Sequence, residues 1–478
     1  MPKPSCYTLI LCLFVLNFAC ISHAQFSVVY NFGSNPNDPI QPFYAGIISQ
    51  GQDGNLYSAG YGGGGSGNGA TFRLTPGGVM TTLWGFADNG DGAVPTGGLI
   101  LGTDGNFYGT TYDGGFGLTP YGTIFQMTPS GGLSTLYDFQ DGSDGALPEA
   151  PPVEGLDGNY YGTNCPTCNG PKATGNGSIY MITPPPSFTF SVVYPFDGTH
   201  GSEPMAPLIL GTDGNFYGVT AYGGTNSCSC GTVFKVTPSG VLTVLYNFDN
   251  THGEIPIGAL TQGTDGNFYG TTTNGGPTYG LGVVFRVTPK GKLTVLHEMG
   301  GTNDGQAPFA GMVQATDGNF YGASAYAGPN GCGTIFKISP KGSFSVVYAF
   351  DNTTGCLPYS TLMQHTNGLI YGMTQTGGTG SLSCAPGQCG VLYSVNIGAH
   401  PFVSIVQPFG KAGTTVEILG QRFTGTTKVA FNKVPASFNV VSDTYLTASA
   451  PAGVTTGFVT VKTPRGTLKS NKKFHVVP

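Results

Sequence analysis

The sequence predicts an all-β protein: a seven-bladed β-propeller whose last blade is closed by the N-terminal strand, followed by an immunoglobulin-like β-sandwich. Three observations predict it. The chain holds Gly 80, Tyr 25 and Phe 31 with only 9% charged residues, a composition short of helix-forming Glu and Lys and rich in turn and strand formers. A "DGN-aromatic-Tyr" motif recurs with its tyrosines at Tyr57, Tyr108, Tyr161, Tyr217, Tyr269 and Tyr321, and a worn copy ends at Tyr371. The intervals are 51, 53, 56, 52, 52 and 50 residues, the near-constant period of a tandem repeat. The two ends of the array are also complementary. The outer-strand signature "SVVYNF" (27–32) precedes any unit of its own, and the last unit stops at "CGVLYSVN" (389–396) without one. Pairing the two removes two exposed strand edges.

The elements follow in chain order. Residues 1–24 read as a signal peptide: Lys3, an apolar run from Leu9 to Ile21, then Ser22 and Ala24 around a cleavage site before Gln25. The run is too short for a spanning helix, so no transmembrane segment is expected after cleavage, and the protein is expected to be secreted or held at the cell surface. Within residues 25–397, "GGLILGT" and "NFYGTT" alternate as strands across an Asp-Gly hairpin, where a tight turn needs positive φ. "TIFQMT" and "STLYDF" form a second hairpin across Pro-Ser-Gly. Four strands per unit of about 50 residues is the pattern of a propeller blade. At residues 398–478 the repeat gives way to short alternating strands with turn signals, the pattern of a small sandwich.

Two resemblances rest on these motifs. "GTDGNFYGTT…GTIFKISPKG…TVLYNF" resembles the GloVer tandem repeat of bacterial exported proteins over about residues 26–397. The order "GKAGTTVEILGQRF", "VAFN", "APAG", "FVTVKT", "FHV" over 401–478 resembles the IPT/TIG immunoglobulin-like domain. The second resemblance implies a spacer or interaction module without catalytic residues. The first implies export and no established biochemical activity.

Charge is divided between the two parts. Residues 25–397 carry 8 Lys and Arg against 22 Asp and Glu, and residues 398–478 carry 9 against 2. The cluster Lys462, Arg465, Lys469, Lys472 and Lys473 is expected to form a basic face that can meet anionic surfaces or the acidic propeller. An acidic, exported chain gives no reason to expect nucleic acid. Eight cysteines remain after the signal: Cys165, Cys168, Cys228, Cys230, Cys332, Cys356, Cys384 and Cys389. An even number in an oxidising compartment is expected to pair. Cys384–Cys389 and Cys332–Cys356 are candidate bridges. "CPTC" and "CSC" could alternatively supply four thiolates to zinc, but disulfides suit the compartment better.

No nucleophile elbow, metalloprotease helix or nucleotide loop is present in its required context, and no cofactor or metal is expected. The Asp of each DGN turn is expected to cap local amides. The segments between units place Asp197, His200 and Glu203 near Asp249, His252 and Glu254 on adjacent blades. Imidazole and carboxylate together can bind a ligand or act as acid and base. The plainer alternative is that His fills a turn position held elsewhere by Asp91 and Asp144. The expected function is a binding or adhesion protein whose propeller face recognises a carbohydrate or protein. A polysaccharide lyase or hydrolase, or a structural envelope component, are the alternatives.

Overall fold

In a computed structural model the chain is described over residues 25–42, 46–115, 121–140, 144–165, 175–382, 384–385 and 387–477. The proposed signal peptide (1–24) and Cys168 lie outside these residues. The described residues form strands and turns and no helix. The architecture is propeller-like.

The repeat region folds into seven four-stranded antiparallel sheets, as far as the described residues go. One sheet is representative: Ile209–Leu210, Phe216–Thr220, Thr232–Val236 and Leu242–Asn247 pair in chain order. The last sheet is composite. Its outer strand is Gln25–Asn31, paired antiparallel with Val391–Asn396. Alternation gives each sheet two apolar faces, as in a stack buried on both sides.

Each pair of consecutive sheets shares a hydrophobic cluster. One joins Tyr57 to Phe107 and Phe125, another joins Tyr161 to Phe216 and Phe234. The composite sheet shares one with the sheet before it, through Tyr321 and Tyr393, and one with the first sheet, through Leu56 and Tyr371.

Three repeated devices reinforce these joints. In the DGN turn the Asp carboxylate accepts the amide of the following Asn and the hydroxyl of the Tyr. The six tyrosine bonds measure 2.7–2.9 Å. The same tyrosine stacks on the aromatic residue of the next unit's motif: Tyr57 on Phe107, Tyr108 on Tyr160, Tyr217 on Phe268 and Tyr269 on Phe320, with centroids 3.9–4.1 Å apart.

The second device links turn to neighbouring strand. The amides of Thr103, Thr212, Thr264, Thr316 and Thr366 donate to Glu154, Gln262, Gln314, Gln364 and Gln50 on the inner strand of the following sheet. In the two remaining joints the turn holds Gln52 or Leu156, and the facing strand position holds Leu101 or Leu210. Threonine and its acceptor are therefore lost together.

The third device lies at the opposite ends of the strands. Gln41, Val94, Leu147, Glu203, Ile255, Ala307 and Leu357 each precede a proline with φ between 50° and 59°. Such conformations are costly for side chains larger than glycine and persist where surroundings fix them. Here each amide donates to the sheet behind, as Glu203 does to the Asn176 carbonyl. Each carbonyl accepts from the sheet ahead, as Glu203 does from Ala221.

Residues 404–476 form a four-stranded and a five-stranded sheet around one core that includes Val416, Phe423, Phe431 and Phe474. This module docks on the DGN side of the repeat region. Thr444 Oγ1 donates to the Gln52 carbonyl at 2.7 Å, Gln421 Nε2 to Thr366 Oγ1 at 2.9 Å, and the Phe402 amide to the Thr366 carbonyl.

Candidate functional site

With one side of the repeat region covered, the segments between sheets stand on the other, and these carry the acid and imidazole residues singled out from sequence. Asp197 and His200 meet within one turn: Nδ1 lies 2.7 Å from Oδ2, and the His200 amide donates to Oδ1 at 2.8 Å. The amide bond, with the imidazole behind it, holds the Asp197 carboxyl down at about 2. Asp249 and His252 repeat the arrangement at 2.9 Å. Each pair is closed within its own turn, so the two turns do not pool their groups, and no cluster of three or more potential metal ligands occurs among the described residues.

Elsewhere the same position holds an aspartate with a different task. Asp91 accepts Trp84 Nε1 and the Ala87 amide, and Asp304 accepts His297 Nε2 and the Gly300 amide. Asp144 accepts the Tyr137 hydroxyl and the Gln140 amide. At His200 and His252 the ring turns Nδ1 to the carboxylate of Asp197 or Asp249, and that carboxylate also accepts the histidine's own amide, so Asp197 and Asp249 take over the closing of the turn.

Glu203 is one of the backbone braces described above, and Glu254, which precedes the brace residue Ile255, makes a separate backbone bridge to Asn274. Their carboxylates flank Tyr222 and, after burial, push its hydroxyl pKa up. Tyr222 is exposed. A cavity of about 380 Å³ opens beside His200, lined by Thr199, Thr225, Asn247 and the outer-strand residues Leu242–Val244. Asn247 commits its carboxamide oxygen to the Thr225 amide at 3.0 Å, which leaves its NH₂ as a donor. With Nδ1 on Asp197, His200 offers Nε2.

One residue of chemical interest was not singled out from the sequence, and a second was read there only as part of a basic face. Glu149 follows the brace proline of its unit and is 2% exposed; burial, with a smaller contribution from Glu203, raises its carboxyl to about 8. The corresponding residues are Thr96, Met205, Ile257, Phe309 and Tyr359, so no repeat pattern marks an acid there. Lys472 is the second, and it corrects the expected basic cluster. Lys469 and Lys473 lie 3.8 and 5.9 Å from the Phe458 ring, but Lys472 lines a cavity on the other side of the module.

The cysteines pair locally: Cys228–Cys230, Cys332–Cys356 and Cys384–Cys389. Cys165 is also disulfide-bonded.

The sequence profile of the Gloeobacter/Verrucomicrobia repeat matches residues 18–229 and again 206–428. The chain belongs to this repeat family. An IPT/TIG domain profile matches residues 401–476 of the repeat protein, and no curated protein matches it. Among solved structures it is similar to virginiamycin B lyase from Staphylococcus aureus, at 14% identity and a TM-score of 0.50, over 78% of this chain and 99% of that one. It is also similar to a fungal alcohol oxidase of the AA5 family, solved with copper, at 14% identity and a TM-score of 0.50, over 95% of this chain and 99% of that one. Such likeness extends to the fold alone. No helix among the described residues is long and apolar enough to cross a membrane. Repeat and IPT/TIG modules together mark a surface or extracellular binding type of protein.

Proposed function

We propose that this repeat protein is exported by residues 1–24, and that residues 25–397 close as a seven-bladed ring carrying an immunoglobulin-like sandwich, residues 398–478. In this reading the ring recognises a carbohydrate in the groove beside His200. The observation that carries the ligand reading is the groove's chemistry. Hydroxyls of Thr199 and Thr225, the Asn247 NH₂ and His200 Nε2 stand around about 380 Å³ floored by an apolar strand. That mixture of donors, acceptors and apolar floor suits a sugar ring. The composite last sheet and the cluster joining it to the first sheet support closure.

A second reading, a polysaccharide lyase or hydrolase, draws on the Asp197–His200 pair, which could polarise a proton through Nε2. The groove lining holds no second acid, and glycoside hydrolysis ordinarily needs two carboxyls, so binding is favoured.

Glycan-array binding of residues 25–478, followed by titration of any hit against His200→Ala and Asn247→Ala, tests the proposal. Each variant should weaken binding about fivefold to tenfold, as for loss of one hydrogen bond. Tyr279→Ala, an exposed change outside the groove lining, should leave binding unchanged. Absence of any glycan hit, or hits insensitive to both groove variants, would discard the groove and leave a protein ligand or a structural role.

A further inference from the structure

The cavity lined by Lys472 lies between the two parts of the chain and has a volume of about 390 Å³. One wall is made by the inner strands of several sheets, including Gln50, Leu101, Leu210 and Met363. The other is made by the IPT/TIG module, through residues 404–409 and Lys472. An irregular register puts Lys472 there. Along the final hairpin, Phe458 pairs with Lys473 and Thr460 pairs with Lys469. Val459 alone therefore faces the three residues Ser470, Asn471 and Lys472. Ser470 Oγ holds the bulge by accepting the Val459 amide at 2.9 Å and donating to the Lys472 carbonyl at 2.6 Å. Bulges commonly re-aim a side chain, and this one takes Lys472 off the face it would otherwise share with the buried Ser470 and Phe474.

Lys472 is exposed to solvent where it lines the cavity, and desolvation by the surrounding protein pushes its amine below the usual lysine range. No carboxylate pairs with it among the described residues. Glu154, on the same lining, directs both oxygens to Thr103, at 2.9 Å to its amide and 2.6 Å to its hydroxyl. A solvent-accessible ammonium on a cavity wall, outside salt-bridge distance of Glu154, is available to pair with an anion that enters the cavity.

We propose that this interdomain cavity is a binding site for a small organic monocarboxylate, with its carboxylate on Lys472 and its apolar body against Leu101, Leu210 and Met363. One ammonium among mainly apolar walls matches one negative charge on a compact apolar body better than it matches a dianion. The site needs both parts of the chain, since neither wall alone encloses it. It is separate from the groove beside His200, and its fate does not depend on that reading.

The test is calorimetric titration of residues 25–478 with sodium hexanoate, 1-hexanol and inorganic phosphate, on the wild type, Lys472→Met and Lys472→Arg. Hexanoate should bind the wild type once per chain, retain its affinity within about threefold in Lys472→Arg, and lose at least tenfold in Lys472→Met. Hexanol should bind all three alike, and phosphate more weakly than hexanoate. In the wild type alone, the resonance of ¹³C-methylated Lys472 should move on hexanoate addition and stay put with hexanol, a readout that requires no variant to fold. Hexanoate that fails to bind the wild type, binds Lys472→Met equally, or is outcompeted by phosphate overturns the proposal.

Discussion

Replacing Gln50 by Leu should weaken the joint between last and first sheets far more than the same change weakens any other joint. Gln50 Nε2 donates to Thr366 Oγ1 at 2.9 Å and its Oε1 accepts the Thr366 amide at 3.0 Å. Thr366 is fully buried and Gln50 is 8% exposed, because the IPT/TIG module lies over them through Gln421 and Gly420. Leucine leaves the Thr366 amide buried and unpaired. The orphaned donor costs about 1–3 kcal/mol and the second lost bond about 1 kcal/mol, so the expected destabilisation is about 2–4 kcal/mol. Gln262→Leu removes the matching pair with Thr212, but Thr212 is exposed and water replaces the lost partner, for a cost of about 0–1 kcal/mol. Urea unfolding followed by Trp84 and tyrosine fluorescence measures both. A further change, Thr212→Leu in the Gln262→Leu background, copies the Leu156–Leu210 joint and should recover the small loss. If Gln50→Leu proves no more costly than Gln262→Leu, the closing joint is not held as argued.

Three other outcomes follow from the same geometry. Glu149 has a folded pKa of about 8, above its ordinary 4.5, so its contribution to stability is complete below about pH 4 and is lost as pH rises through about 8. Glu149→Gln should therefore raise the melting temperature at pH 9, with a ceiling of about 5 kcal/mol from the size of the shift, and change little at pH 4. His200→Ala and His252→Ala, tested singly, should each cost under about 1 kcal/mol, since the exposed turn loses one solvent-screened contact; a larger loss by calorimetry would contradict a local turn role. Cys332→Ser/Cys356→Ser opens a loop of 24 residues and should cost about 3 kcal/mol, whereas Cys228→Ser/Cys230→Ser, with a separation of 2, should cost little through chain entropy; equal losses in urea would refute the loop-length argument.

The repeat was legible because its markers are local. Asp-Gly fixes a hairpin through backbone conformation, and a period-two pattern sets the strands, so one unit read alone announces its strands and turns. Interactions between units were harder to read, although a signal for some was present. Adjacent Phe and Tyr in "NFY" must point to opposite faces of a sheet, so each serves a different neighbour, and the stacking of Tyr217 on Phe268 is that rule carried across a joint. The exchange of Thr with Gln was also written in the chain, since Gln52 and Leu156 depart from threonine where Leu101 and Leu210 depart from Gln or Glu. Lys472 left no such trace. Its direction comes from a break in register held by Ser470, and in a regular strand Ser470, Lys472 and Phe474 would share one face. Asp197 with His200 was visible as a pair by spacing, but nothing in the spacing distinguished a closed turn from a shared site.

The two sides of the repeat region differ in what they hold constant, and that difference bears on where recognition can evolve. On the DGN side the side chains themselves are repeated, because Asp, Asn, Tyr and Thr each make a bond that a substitute would not make. This side also receives the IPT/TIG module. On the other side the backbone is repeated instead: seven residues of unlike type, from Gln41 to Leu357, hold the same left-handed conformation and bond through amide and carbonyl. A brace made by the backbone leaves side chains unconstrained, which is why Glu203, Ile255 and Ala307 are interchangeable in it. The residues after the prolines vary as freely, as Thr96, Glu149, Met205, Ile257, Phe309 and Tyr359, and two of them on adjacent units meet, with the Phe309 and Tyr359 rings 4.8 Å apart. Strain at those seven positions therefore has a use. It moves the work of holding sheets together from side chain to backbone, and the surface above can change residue by residue without loosening the joints beneath it.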